Sequence, residues 1–118
     1  MLIVQKFGGS SIADGDRLRR AAGICMRQRQ NGNEVVVVVS AMGDTTDLLA
    51  DRARVLGGKP SPREMDALIT TGEQQSAALL VMTMESLGIP AVSLAGWQAG
   101  IYTDCRYGDS DIRLIAPV

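Results

Sequence analysis

Histidine is absent from these 118 residues. That removes the commonest general base near neutral pH and the commonest metal ligand. The only cysteines, Cys25 and Cys105, stand 80 positions apart. They form no CxxC pair and no disulfide framework, and the lack of histidine argues against a cysteine-protease site. Cys25 falls in a helical pattern and reads as a small core residue. No apolar run reaches the 18 residues that a membrane span needs. Met1-Leu2-Ile3-Val4-Gln5-Lys6 has no charged leader and no signal-length apolar stretch, so no export signal is expected and a soluble, cytoplasmic protein is the expectation. Excess charge is missing too: the formal net charge is −1, which gives no electrostatic basis for nucleic-acid binding. Arginines at 17, 19, 20, 27 and 29 read as the solvated face of one helix. No internal repeat or low-complexity segment interrupts the chain.

What remains is a globular composition, 46% hydrophobic and 21% charged, long enough for one cored domain or a piece of one. Strand and helix signals alternate. Leu2 to Phe7 reads as a buried strand. Ser11 to Gly15 reads as a turn, with Asp14 and Asp16 as helix-starting acids, and Arg17 to Gln30 as a helix with Leu18, Ala21, Ala22 and Cys25 on one stripe. Asn31-Gly32-Asn33 is a helix stop. Five consecutive valines, 35 to 39, suit a central strand covered on both faces, as in parallel sheets. Asp44 to Leu56 is a second helix. Ser61 before Pro62 and Glu64 predicts a capped start for a long helix running to about Leu87. Thr70-Thr71-Gly72 has weak helix propensity, which predicts a kink or break there. Ile89 to Leu94 is expected as a third strand, Ile101 to Thr103 as a short strand, and Asp111 to Val118 as the start of another. The order β-α-β-α-α-β predicts parallel strands with crossover helices.

Chemistry concentrates where strands end. Lys6-Phe7-Gly8-Gly9-Ser10-Ser11 follows the first strand. Adjacent glycines let backbone N–H groups approach an anion closely, a lysine adds compact positive charge, and serines add donors. A helix beginning soon after points its positive end at the same place. Ser40 follows the valine strand at the carboxyl end, where parallel sheets place ligands. Glu73 follows the Thr-Thr-Gly interruption.

Four segments together carry a family resemblance. Val4-Gln5-Lys6-Phe7-Gly8-Gly9-Ser10-Ser11 resembles the opening of aspartokinases. Val38-Val39-Ser40-Ala41-Met42-Gly43-Asp44-Thr45-Thr46-Asp47 resembles their second loop. Arg63 to Glu73 resembles their acidic helix, and Gly96-Trp97-Gln98-Ala99-Gly100-Ile101-Tyr102-Thr103-Asp104 a further segment. The match runs in order over residues 2 to about 108. It implies an amino acid kinase (carbamate kinase-like) fold, three-layer α/β/α with a mainly parallel sheet, and transfer of the γ-phosphoryl of ATP to the side-chain carboxylate of L-aspartate, the first step toward lysine, threonine and methionine. It also implies ATP as cofactor, with Mg²⁺ bound mainly through ATP and no metal ligand from this chain.

By the resemblance Lys6 neutralises charge on the transferring phosphoryl. Phe7, Gly8, Gly9 and Ser10 line the nucleotide phosphates. Ser40 and Thr46 contact the amino acid, and Glu73 receives its α-ammonium group. Gln98 is a weaker candidate, and Trp97 reads as packing. The chemistry needs no histidine, because a carboxylate nucleophile is already ionised at pH 7 and phosphoryl transfer relies on positioning and charge stabilisation.

Two departures stand out. Aspartokinases commonly read Gly-x-Ala-Arg-Ile where this chain reads Gly108-Asp109-Ser110-Asp111-Ile112-Arg113. Asp111 fills the arginine position, and Arg113, two residues on, shares its strand face. The family's kinase domain is also much longer and is followed by ligand-sensing ACT modules. Residues 1–118 therefore read as the N-terminal part of an amino acid kinase domain, with the rest of the nucleotide site and the ACT modules absent. On that reading the chain alone is inactive, and its uncovered sheet favours self-association or a homo-oligomer. The alternative is a catalytically incomplete relative acting as an interaction or oligomerisation module. A kinase for glutamate, acetylglutamate or a nucleotide fits the motifs less well.

Overall fold

The structure, a computed structural model, describes residues 1–116. Strand β1 (Leu2–Phe7) pairs in parallel with β2 (Glu34–Val39), Lys6 opposite Val38 and Phe7 opposite Val39. Helix α1 (Gly15–Gln30) connects them. It starts where expected: the Asp14 carboxylate accepts from Arg17 N–H at 2.8 Å, meeting one of the free donors of the first turn. Helix α2 (Thr45–Arg54) follows β2, then α3 (Pro62–Ser86). Ser61 Oγ caps α3 by accepting from Glu64 N–H at 3.3 Å, with Pro62 in the first turn. A short hairpin, β3 (Ile101–Thr103) antiparallel to β4 (Ile112–Ile115), closes the described chain. The strand expected over 111 to 118 is β4 as far as Ile115; Pro117 and Val118 lie outside the described residues.

The core sits on one face of the parallel pair. Leu18, Ala21, Ala22 and Cys25 of α1 meet Leu80 and Met84 of α3, with Ile12 and Ile89. Phe7, Val35, Val37 and Val39 pack beneath them. Alternation sends Leu2, Val4, Val36 and Val38 to the other face, where they remain 58, 64, 48 and 47% exposed. The valine run was expected to be covered on both faces. Among the described residues helices cover one, so the chain supplies the sheet and one helical layer of the α/β fold. The five arginines of α1 are solvated, as expected.

Two expectations are corrected. First, α3 is continuous through Thr70-Thr71-Gly72, 25 residues or roughly 37 Å long at ~1.5 Å per residue. Thr71 Oγ1 donates to Leu68 O at 2.7 Å, so its hydroxyl bonds within the helix. Gly72 is buried because the helix must pass close to Ala41: a Cβ there would lie 3.0 Å from the Ala41 Cβ. Packing outweighs the glycine's propensity cost of about 1 kcal/mol. Second, Ile89 to Leu94 forms no strand. Ile89 belongs to the end of α3: its N–H donates to Met84 O at 2.9 Å, and Gly88 N–H donates to Glu85 O at 3.0 Å. With Gly88 at φ +77 and both Met84 and Ile89 in the core, this is a Schellman cap with its hydrophobic contact. The apolar residues beyond it lack a ladder partner among the described residues, and a strand requires one.

Candidate functional site

The carboxyl ends of β1 and β2 release their chains into two loops that touch. Ser40 N–H donates to Phe7 O at 3.3 Å, continuing the ladder one step, and Gly43 N–H donates to Gly9 O at 3.0 Å. The first loop forms a short 3₁₀ turn, Gly9–Ile12, pinned by the fully buried Ile12. A Cβ on Gly9 would stand 2.4 Å from the Ala41 carbonyl oxygen and 3.4 Å from Gly43 N. Ala41, 5% exposed, is thus held between Gly9 on one side and Gly72 of α3 on the other. Three of the four motif segments meet at this one residue. Two close backbone approaches permit it, and only glycine allows both.

Gly8 differs from its neighbour. Its φ of −74° is open to any residue, and a Cβ there would meet nothing within 4 Å. Packing gives no reason for a glycine at 8. The space beside it suits an approaching phosphate, which is the fit expected of a nucleotide cradle. Ser10 and Ser11 border an open groove of about 410 Å³ with Phe7, Arg17 and Arg20. Arg17 Nη1 donates to Ser10 O at 3.1 Å, tying the loop to α1. Phe7 packs against the core and is partly buried there, while it also borders this groove.

The remaining candidates are placed as follows. Ser40 is half-buried at the β2 end, beside Ala41. Thr46 is exposed at the second position of α2. Asp44 precedes that helix without capping it by its side chain. Glu73 is half-buried on α3, next to Gly72. Among the described residues no ion pair engages Lys6 or Glu73, and no hydrogen bond engages the side chains of Ser40 or Thr46. The Gly9 loop, the loop after Ser40 and helix α3 at Gly72, next to Glu73, are brought together around Ala41. Lys6 is not in that contact: it stands one residue before the end of β1 on the uncovered face, with Val4 and Val38, while α3 packs on the other face. Neither the groove beside Ser10 and Arg17 nor the one along Thr45, Leu49 and Gln75 is lined by Lys6 or Glu73. Nor do the described residues hold a cluster of three acidic or thiol ligands suited to a metal ion.

Gln98 is spent locally, its Oε1 accepting from Ala95 N–H at 2.8 Å. Trp97, expected to pack, is 60% exposed, because the segment after α3 has no sheet neighbour to lie against. Asp111 precedes β4, and the ladder is irregular between Ile112 and Leu114, so Arg113 does not simply take over the face of Asp111. Asp104, with its side chain 16% exposed, takes Arg106 and Arg113 at 3.3 Å each, and Arg106 also reaches Asp111 at 2.5 Å. The acid at the family's arginine position is thus neutralised within the hairpin. Sequence reasoning missed Asp66, whose Oδ2 accepts from Gly108 N–H at 2.7 Å. Its spacing of seven from Glu73, which puts both on one helical face, was the available signal.

A parallel α/β unit with its loops gathered at the carboxyl ends of the strands defines an α/β protein, and that end is where such sheets place ligands. The chain belongs to the amino acid kinase family, whose model matches residues 1–116. Its relatives are aspartokinases: it is 53% identical to that of Mycolicibacterium smegmatis over 116 residues, 98% of this chain and 28% of that protein. It is 51% identical to that of Geobacillus stearothermophilus over 114 residues, 97% of this chain and again 28% of the other. The crystal structure of aspartate kinase from Synechocystis superposes with a TM-score of 0.81 at 49% identity, covering 85% of this chain and 17% of that one. The chain thus spans little more than a quarter of the length of the curated relatives it matches. No described helix is long and apolar enough to cross a membrane.

Proposed function

We propose that this chain carries the phosphate loop and much of the amino-acid pocket of an aspartate kinase acting in the cytoplasm at the head of lysine, threonine and methionine synthesis. The observation that supports it is the meeting of Gly9, Ala41 and Gly72, which gathers three separate motifs at one end of the sheet. In the reaction a side-chain carboxylate oxygen of L-aspartate attacks the γ-phosphorus of ATP. An O–P bond forms, the bond to the β-phosphate oxygen breaks, and ADP leaves. The carboxylate is its own nucleophile, so the residues bind and orient. Gly8, Gly9 and Ser10 receive the phosphates through the backbone, and Lys6 reaches past the strand end to the moving phosphoryl. Ser40 and Thr46 hold the amino acid, and the unpaired carboxylate of Glu73 meets its ammonium group. Mg²⁺ would be held through the nucleotide phosphates, where it offsets their charge.

The test is ATP- and Mg²⁺-dependent formation of aspartyl phosphate, trapped as the hydroxamate. Activity is expected of a protein that joins this segment to the remainder of a kinase domain, and negligible turnover of residues 1–118 alone. Turnover by the 118-residue chain would refute the division of the site. A second reading, an interaction module without turnover, is favoured by one observation: the apolar face of Leu2, Val4, Val36 and Val38 is material for association.

A further inference from the structure

Among the described residues the β3–β4 hairpin is nearly free of the body. All seven of its strand residues are exposed, and an isolated two-stranded hairpin is marginally stable in water. Its tip is stiffened from within: Asp104 accepts from the backbone N–H of Arg106 at 3.1 Å and holds Arg106 and Arg113 by their guanidinium groups. That network ties the hairpin to itself. One described side-chain hydrogen bond crosses to the rest of the molecule, from Gly108 N–H to Asp66 Oδ2 at 2.7 Å, spanning 42 positions of sequence. Beside it Arg63 of the same helix lies against Tyr107, whose proximity raises the Arg63 pKa ahead of Glu64. Asp66 precedes Glu73 by two turns on one face of α3. A segment with little buried contact, tethered at its tip by Asp66 beside the Arg63–Tyr107 contact, opens and closes as a unit.

We propose that Asp66 is a positioning residue that latches the hairpin tip onto α3 and so holds the approach to Glu73 in its binding-competent form. As far as substrate affinity goes, this rests on the kinase reading above. The latched fraction then sets the apparent affinity for a small amino-acid zwitterion, because affinity scales with the population of the competent state. Losing one carboxylate-to-amide bond lowers the latched-to-open ratio by about tenfold.

Two measurements decide it. In the wild-type protein the Gly108 amide should exchange at least about tenfold more slowly than the neighbouring Tyr107 amide, which has no such acceptor. An unprotected Gly108 overturns the latch, whatever any variant does. In Asp66→Ala, exchange across 101–115 should rise about tenfold with α1 and α3 unchanged. In the protein that joins this segment to the remainder of a kinase domain, the KM for aspartate should rise by a similar factor while kcat stays within about twofold. Asp66→Asn retains an acceptor oxygen and should recover most of both. Faster hairpin exchange with an unchanged KM would overturn the positioning role. Should the protein that joins this segment to the remainder of a kinase domain phosphorylate no aspartate, the kinase reading fails, and the exchange data still decide the latch.

Discussion

The two adjacent glycines of the first loop should respond in opposite ways to the same added methyl group. In Gly9→Ala the Cβ would sit 2.4 Å from the Ala41 carbonyl oxygen. That partner is backbone, held by the Gly43-to-Gly9 hydrogen bond and by the burial of Ala41, so it cannot swing aside. Relief to ordinary contact needs roughly 1 Å of separation between the two loops. Overpacking of this kind costs about 1–3 kcal/mol. A displacement of that size at a phosphoryl-transfer site costs about a hundredfold in rate. In Gly8→Ala the methyl group meets nothing within 4 Å and the φ of −74° suits alanine. The unfolded chain loses freedom, so the protein should gain about 0.4–1 kcal/mol. If a phosphate occupies that space, the same methyl should still weaken ATP binding. Urea denaturation of both variants gives the stabilities, and an ATP titration of the active protein gives the affinities. Wild-type stability in Gly9→Ala would refute the close approach. Unchanged ATP affinity in Gly8→Ala would refute the phosphate cradle.

Other outcomes follow from the same geometry. Lys6→Ala should lower kcat by about a hundredfold or more with little change in aspartate affinity, whereas Glu73→Gln should raise the KM for aspartate; steady-state kinetics separates the two, and a Glu73→Gln enzyme with normal KM removes that residue from the pocket. Charging the uncovered face with Val4→Lys and Val36→Lys should reduce association of the 118-residue chain in light scattering; a wild type that is already monomeric when concentrated argues against an adhesive face. Thiol titration of the folded protein at pH 8 should find Cys105 fast and Cys25 slow, since Cys25 is 2% exposed and burial raises its pKa. The folded state holds that proton more tightly than the unfolded one, so this contribution to stability is complete below the ordinary thiol range and falls as pH rises through about 9. Cys25→Ala should flatten that decline in urea midpoints measured between pH 7 and 10.

Much of this arrangement was legible along the chain, for a physical reason in each case. Short-range chemistry sets the Asp14 and Ser61 caps and the Asn31-Gly32 stop, because a cap is decided within a few residues. The valine run and Leu2–Phe7 read as strands because β-branched and apolar runs between turn signals leave few alternatives. The motif segments contain the loops that meet at Ala41. The reading of Ile89 as a strand start failed because an apolar residue after a helix serves a Schellman cap and a strand equally well in one dimension.

Residue order alone was sufficient for β1, β2, the helix starts and stops, the family likeness and the identity of the loops, since these are carried by short segments of chain; it misplaced a strand at Ile89 to Leu94 and a break in α3. Tertiary contact alone decided that Gly72 sits within a continuous helix and that Ala41 is clasped between Gly9 and Gly72. It also placed Lys6 on the face of the sheet opposite α3, and gave Asp66 a partner 42 positions away. Those outcomes rest on which surfaces meet in space, and a glycine's meaning as hinge or as clearance changes with what approaches it.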